Sequence, residues 1–255
     1  MSMARSSNSH SRSKGPMYVF TNESLESIVK SLSPSKTDSV LSVGGSGDQA
    51  FALAELAGRV VVCDTEPLQV SFIRERIIHL RNGNYQGFYG KFIPWQRKDC
   101  PESLIQDSPK GYVKSLLQSE NERLQKSFAR RNDYFRQNDR IMRIRQNVDN
   151  IVVDDPKSIG KYPFTSCPEQ FNIIYLSNVL GYYTSHDIET IRQELMYLSR
   201  ILKQYGLIYV TNFSSLGSES SCVPSSLRIE EHRTEIALSH YKQPNWKPSV
   251  LRRVF

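Results

Sequence analysis

The sequence predicts an α/β domain built on a mostly parallel sheet, and three observations carry that expectation. Short apolar strands alternate with helical patterns along the first eighty residues. The first strand runs directly into a glycine-rich turn, Gly44-Gly45-Ser46-Gly47, and the second ends on a carboxylate, Asp64. The same alternation resumes at Ile151, after a long basic stretch.

The elements follow in order. Thr21 to Leu32 is expected to be a helix, capped by Thr21 or Asn22, with Leu25, Ile28, Val29 and Leu32 on one face and Pro34 as its stop. Val40 to Val43 is a buried strand. Gln49 to Leu56 is a small-residue helix, Val60 to Cys63 a second strand, and Leu68 to Leu80 a helix with Ile73, Ile77 and Leu80 inward. From Gly83 to Asn147 the apolar content falls. Leu104 to Asn147 carries Arg123, Lys126, Arg130, Arg131, Arg136, Arg140, Arg143 and Arg145, and is expected to form a basic helical insertion or lid at about 97–148. Ile151 to Val153 then ends in Asp154-Asp155-Pro156, and Phe171 to Leu176 ends in Ser177-Asn178. Ile188 to Leu202 reads as a long amphipathic helix stopped at Gly206, with Lys203 in its last turn. Leu207 to Val210 is the next strand. Leu227 to Phe255 alternates apolar and polar residues, which predicts an antiparallel hairpin at the sheet edge.

Bulk properties bound the function. A chain of 255 residues buries a full core, and 38% hydrophobic with 23% charged residues fits an ordinary globular domain. The formal charge of +7 favours anionic partners without choosing among them. Residues 1–15 form a serine-rich basic tail with no acid and no apolar h-region, so disorder is expected there, with the folded domain spanning 16–255. Cys63, Cys100, Cys167 and Cys222 form no C-x-x-C pair, which speaks against a disulfide framework or zinc site and for a reducing, cytoplasmic setting. No apolar run approaches the ~18 residues of a membrane span.

The chemistry concentrates at the ends of the first strands. A glycine turn between strand and helix lets a ligand approach the backbone and leaves free amides at the helix N-terminus. A carboxylate at Asp64 is placed to accept hydrogen bonds from ribose hydroxyls, although the same residue also suits a helix cap. Together they predict a nucleoside site. Gly45-Ser46-Gly47-Asp48-Gln49-Ala50 fits the dinucleotide fingerprint too, whereas the missing Gly-Lys-Ser/Thr excludes a P-loop. Three features favour a sulfonium nucleoside, S-adenosylmethionine, over NAD. Asp48 sits where a pyrophosphate would be repelled but an ammonium group attracted. A helix precedes the first strand. The Ser177-Asn178-Val179-Leu180 segment is followed by a helix and then the Gly206 to Val210 strand.

At this point the sequence resembles the Rossmann-like class I methyltransferase fold. The resemblance rests on V-L-S-V-G-G-S-G-D, V-V-V-C-D, D-D-P, I-I-Y-L-S-N-V-L and L-K-Q-Y-G-L-I-Y-V. It implies that Gly44, Gly45, Ser46, Gly47 and Asp48 hold the methionine portion of S-adenosylmethionine and Asp64 the ribose, with Thr65 also in the cofactor site. It places Asp154 or Asp155 beside adenine, and Ser177 and Asn178 at the reacting centre. A narrower stretch, Val40 to Phe92, resembles the betaine-lipid synthase group through Asp64-Thr65-Glu66-Pro67-Leu68-Gln69 and Y-Q-G-F-Y-G-K-F, with Glu66 replacing the group's asparagine. Members of that group move a 3-amino-3-carboxypropyl group and release methylthioadenosine.

On the acceptor side, Asn178, Tyr182 and Tyr183 are the candidate catalytic residues, the tyrosines lining the acceptor pocket or favouring a cation. Ordinary packing explains the tyrosines equally well. His186 is a further base candidate, yet Ser185-His186-Asp187 reads better as a helix start. The basic insertion suits an anionic partner, RNA or lipid headgroups, but Asp133 and Asp139 interrupt its arginine track. Three functions follow: aminocarboxypropyl transfer to an unidentified acceptor, methyl transfer to a small molecule or RNA, or non-catalytic ligand binding.

Overall fold

The computed structural model describes residues 18, 20–21, 23–90, 130–156, 159, 170–182, 188–212, 222–241 and 247–255. The expected tail, the first part of the basic insertion, Asn22, Tyr183 and His186 lie outside the described residues.

The chain enters through α1 (Leu25–Leu32), then alternates β1 (Ser39–Val43), α2 (Asp48–Ala54), β2 (Arg59–Cys63) and α3 (Pro67–Arg81). Helix α1 is capped by Ser24, whose hydroxyl accepts from the Ser27 amide at 3.2 Å. Thr21, expected as the cap, instead points its amide at Asp48. Pro67 opens α3, where its missing N–H costs nothing. A short helix α4 (Tyr85–Gly90) follows, and the chain returns as helices α5 (130–136) and α6 (Arg140–Gln146).

Strands β3 (Ile151–Val153) and β4 (Phe171–Ser177) come next, then α7 (Val179–Tyr182), α8 (Ile188–Ile201), β5 (Leu202–Thr211), β6 (Leu227–Ile229), α9 (Glu231–Ser239) and β7 (Pro248–Arg253). The seven strands lie in the order β3-β2-β1-β4-β5-β7-β6. All neighbours from β3 to β5 are parallel, and β7 is antiparallel to both β5 and β6. This is the class I methyltransferase topology that the sequence predicts.

One expectation needs correction. Strand β5 begins at Leu202 rather than Leu207, because Leu202 already pairs with Phe171 in the sheet, directly after α8 ends at Ile201. The register then jumps to Ile173 opposite Leu207, and the intervening residues bulge with Tyr205 at φ 62°. At the C-terminus the expected antiparallel edge pair is present as β6 and β7. Helix α9 separates β6 from β7 and packs on α1, where the Ser27 hydroxyl donates to the Ala237 carbonyl at 2.7 Å.

Strand alternation sorts the core into two layers. Val40, Val60, Val62, Tyr175, Tyr209 and Val250 face α1 to α6, while Leu41, Val61, Ile174, Leu176, Ile208 and Leu251 face α8. The described part of the insertion is built into the core. Tyr134, Phe135, Ile144 and Val148 belong to the main core, and Phe88 meets Phe135 edge-on at 5.6 Å between ring centres. Among the described residues no helix is long and apolar enough to cross a membrane.

Candidate functional site

Sheet order reverses at β1, whose neighbours are β2 on one side and β4 on the other. Crossovers from β1 and β4 leave the sheet toward opposite faces, so a crevice opens at the carboxyl ends of these strands. Gly44 to Gly47, Asp64, Asp154 and Ser177 all sit at that end.

The glycine turn is shaped by what a side chain would strike. A Cβ at Gly44 would lie 2.8 Å from Asp64 Oδ2 and 2.9 Å from Asp64 Cβ. Gly47 adopts φ 83° as it caps α2, a conformation that disfavours any other residue. Above Gly45 the space is open, with nothing within 4 Å of an added Cβ. Replacing Gly44 by alanine should therefore displace Asp64 and cost about 1–3 kcal/mol of stability, measurable by urea denaturation.

Asp64 completes the cradle. Its Oδ2 accepts the Gly45 amide at 2.9 Å and its Oδ1 the Glu66 amide at 3.0 Å. Partial burial pushes this carboxyl upward, and the amides of Glu66, Gly45 and Thr65 counter that push. Thr65 is exposed beside it. Gln69, the last member of the Asp-x-x-Pro-x-Gln element, is buried and exchanges two hydrogen bonds with the Tyr18 backbone, at 2.9 and 2.7 Å. The motif thus ties the entering chain to the first turn of α3.

Asp48 lies behind the turn. Its carboxylate is fully buried and saturated. Oδ1 accepts from Arg76 Nη2 at 2.8 Å and Arg131 Nε at 3.1 Å, and Oδ2 from the Thr21 amide at 2.8 Å and Ser46 Oγ at 3.0 Å. Burial alone would raise its pKa, but Arg131, Arg76 and the Thr21 amide outweigh that and hold it low. In this structure Asp48 braces the turn from behind through these four hydrogen bonds. Arg76 also donates to the Ser46 carbonyl at 2.6 Å, fixing the turn's backbone, and lies 4.4 Å from the Phe88 ring centre.

The remaining residues separate by position. Asp154 follows β3 and faces the Cys63 thiol at 3.9 Å. Asp155 is turned outward to Arg74, at 3.3 Å, and its side chain is 94% exposed. Ser177 takes a left-handed conformation at φ 55°, and the Asn178 side-chain oxygen accepts from Asn212 Nδ2 at 3.4 Å. Tyr182 ends α7, and its side chain lies outside the described residues, as does all of Tyr183.

The basic insertion is partly spent inside the fold. Arg131 is held by Asp48, Arg143 pairs with Glu55 at 2.6 Å, and Arg140 with Glu26 at 2.9 Å. Arg136 and Arg145 lie over the rings of Tyr89 and Tyr85. Arg131, Arg140 and Arg143 are thus paired with acids of the fold, while Arg136 stays exposed. Among the described residues no cluster of ligands fits a metal ion.

Glu23 escaped the sequence reading. It precedes α1, is 6% exposed, and accepts a hydrogen bond from the Ser177 hydroxyl. Burial raises its pKa from 4.5 to about 7, against the hydroxyls of Ser177 and Tyr175. An acid in an amphipathic start looks like ordinary first-turn decoration; only its contact with β4 marks it. Because the folded-state pKa is raised, Glu23's stabilising contribution is full below 4.5 and lost as pH rises through about 7. Wild-type thermal stability should therefore fall relative to Glu23→Gln across that window, by melting curves at matched pH.

The fold and crevice define a protein of the Rossmann-like class I methyltransferase architecture. The chain matches no protein-family model and no curated protein. Among solved structures it is similar to the N-methyltransferase NodS from Bradyrhizobium japonicum, solved with S-adenosyl-L-homocysteine, at 13% identity and TM-score 0.46 over 89% of this chain and 83% of that one. It is also similar to the rRNA methyltransferase aviRa from Streptomyces viridochromogenes, at 12% identity and TM-score 0.47 over 90% and 83%. With the YcgJ protein from Bacillus subtilis the identity is 14% and the TM-score 0.40, over 74% of this chain and 49% of that one, so the match spans about half that protein's length. Likenesses this distant say nothing of what this chain binds.

Proposed function

We propose that this chain is an S-adenosylmethionine-dependent transferase. The observation that carries the reading is the cradle at the sheet's switch point: open space above Gly45, with the Asp64 carboxylate fixed beside it by the Gly45 and Glu66 amides. Each Asp64 oxygen spends one acceptor site on these amides and keeps another for a ribose hydroxyl. Asp154, rather than the outward Asp155, is the residue assigned to the adenine side. Gly44, Ser46, Gly47 and Thr65 shape the wall around the methionine and ribose, and Ser177 and Asn178 border the acceptor.

When bound, the sulfonium supplies an electrophilic carbon with a neutral thioether as leaving group. The chain's task is then to hold the acceptor in line with that carbon, about 3 Å away, and to exclude water. The Asp-x-x-Pro-x-Gln element supports 3-amino-3-carboxypropyl as the group transferred. Here that element builds the ribose carboxylate, the start of α3 and the clamp on Tyr18. Methyl transfer uses the same cradle.

Two measurements test the proposal. Calorimetry should show S-adenosylmethionine binding that NAD does not displace. Mass spectrometry of turnover with a small-molecule and lipid extract should then show methylthioadenosine. S-adenosylhomocysteine in its place would assign methyl transfer, and binding without either product would leave a ligand-binding protein.

A further inference from the structure

Beside the cradle, at the carboxyl end of β4, lies a buried polar group that the binding of S-adenosylmethionine does not use. Glu23 Oε1 is taken by the Ser177 hydroxyl, but Oε2 is buried without a hydrogen-bond partner. The Tyr175 hydroxyl, fully buried on the same strand, faces this carboxyl. Thr211 ends β5 nearby in sequence register, one residue past the Val210 that pairs with Ser177, and its hydroxyl is likewise buried and unmatched. Two such unmatched atoms, Glu23 Oε2 and the Thr211 hydroxyl, are unusual, since buried polar atoms in folded proteins are nearly always paired.

The chemistry of the group says what is missing. The neighbours that act on Glu23 are hydroxyls: Ser177 and Tyr175 on β4, with Tyr209 on β5 itself held neutral partly by Glu23. Its own amide is tied to Thr21 Oγ1 at 3.0 Å, which fixes the backbone and leaves the carboxyl turned to the strands. A carboxyl so placed favours a donor that brings positive charge.

We propose that Glu23 binds the nucleophilic nitrogen of the acceptor and takes its proton, so that the acceptor is an amine. This rests on the transferase reading above. In the step, the nitrogen lone pair forms a new C–N bond while the C–S bond breaks with its electron pair left on sulfur. The N–H proton passes to Glu23 Oε2 and afterwards to solvent. An alcohol suits the site less, because a base that titrates near neutrality is poorly matched to a hydroxyl proton and better matched to an ammonium one. Ser177 is a positioning residue here, since it orients the carboxylate and leaves Oε2 for the acceptor.

The bland alternative is that Glu23 merely tethers the entering chain to β4. Gln keeps the shape and still accepts from Ser177, so E23Q separates the two. The full chain saturated with S-adenosylhomocysteine is titrated between about pH 5 and 9, following the carboxylic-acid infrared band lost in E23Q, with ethylammonium or tetramethylammonium chloride at equal ionic strength. Ethylammonium should lower the Glu23 midpoint by about one unit, and tetramethylammonium, which has no N–H, should not. E23Q should keep its S-adenosylhomocysteine affinity within about twofold. A midpoint unmoved by ethylammonium, or moved equally by both cations, overturns this inference alone. Failure of the wild type to bind S-adenosylhomocysteine overturns it together with the transferase reading.

Discussion

Asp64→Ala should weaken S-adenosylmethionine binding by about 1–3 kcal/mol, roughly 5- to 150-fold in Kd, without unfolding the protein. The loss has two parts. The ribose hydroxyls lose a charged acceptor, and the Gly45 amide, held by Asp64 at 2.9 Å, is released to move. Asp64 is only partly buried, so the fold itself should lose little. Asp64→Asn should fall between the two, because an amide retains one acceptor oxygen without the charge. Calorimetric Kd values with matched melting temperatures check both variants. A Kd unchanged in Asp64→Ala would remove Asp64 from the site.

The second large effect is on stability. Asp48→Ala should destabilise the fold by about 3–5 kcal/mol, because it leaves Arg76 and Arg131 buried without a counter-charge. Arg131 is the more dispensable partner, since Arg76 alone also holds Ser46 and the Phe88 carbonyl. Asp48→Ala combined with Arg131→Met should therefore cost less than the sum of the two single changes, a coupling that urea denaturation of the four proteins measures. The pH dependence has a definite sign. Asp48 is held below its ordinary value of 3.8, so its contribution is present above that pH and lost as pH falls below it. Acid unfolding of the wild type should show this loss, and Asp48→Ala should not.

The fold was legible where periodicity and turn chemistry agree. Val40 to Val43, the glycine turn, Val60 to Cys63 and the α3 face each announce themselves locally, and the structure places them as expected. The ends of elements were less legible. Nothing local says that Leu202 belongs to a strand, because its pairing with Phe171 is a contact 31 residues away. Helix α9 was missed since its inward face is carried mainly by Ala237, too small to mark a helical stripe.

The site shows the same division. That Asp64 lies beside the glycine turn was readable from spacing. Asp48 was readable as important but not as buried, because its partners Arg76 and Arg131 come from 28 and 83 residues away. The arginines of the insertion looked like a surface for phosphate when read as a string. Glu26, Glu55 and Asp48, which claim three of them, are invisible until the chain is folded. Glu23 was silent for the same reason, its meaning lying in Ser177 across the crevice.

A crystal grown with S-adenosylmethionine offers the sharpest trial. Both ribose hydroxyls should fall within about 3.2 Å of the Asp64 carboxylate, with the amino-acid end of the ligand lying over Gly45. Density for that ligand elsewhere, or none at the turn while Asp64 keeps its present hold on Gly45 and Glu66, would contradict the account.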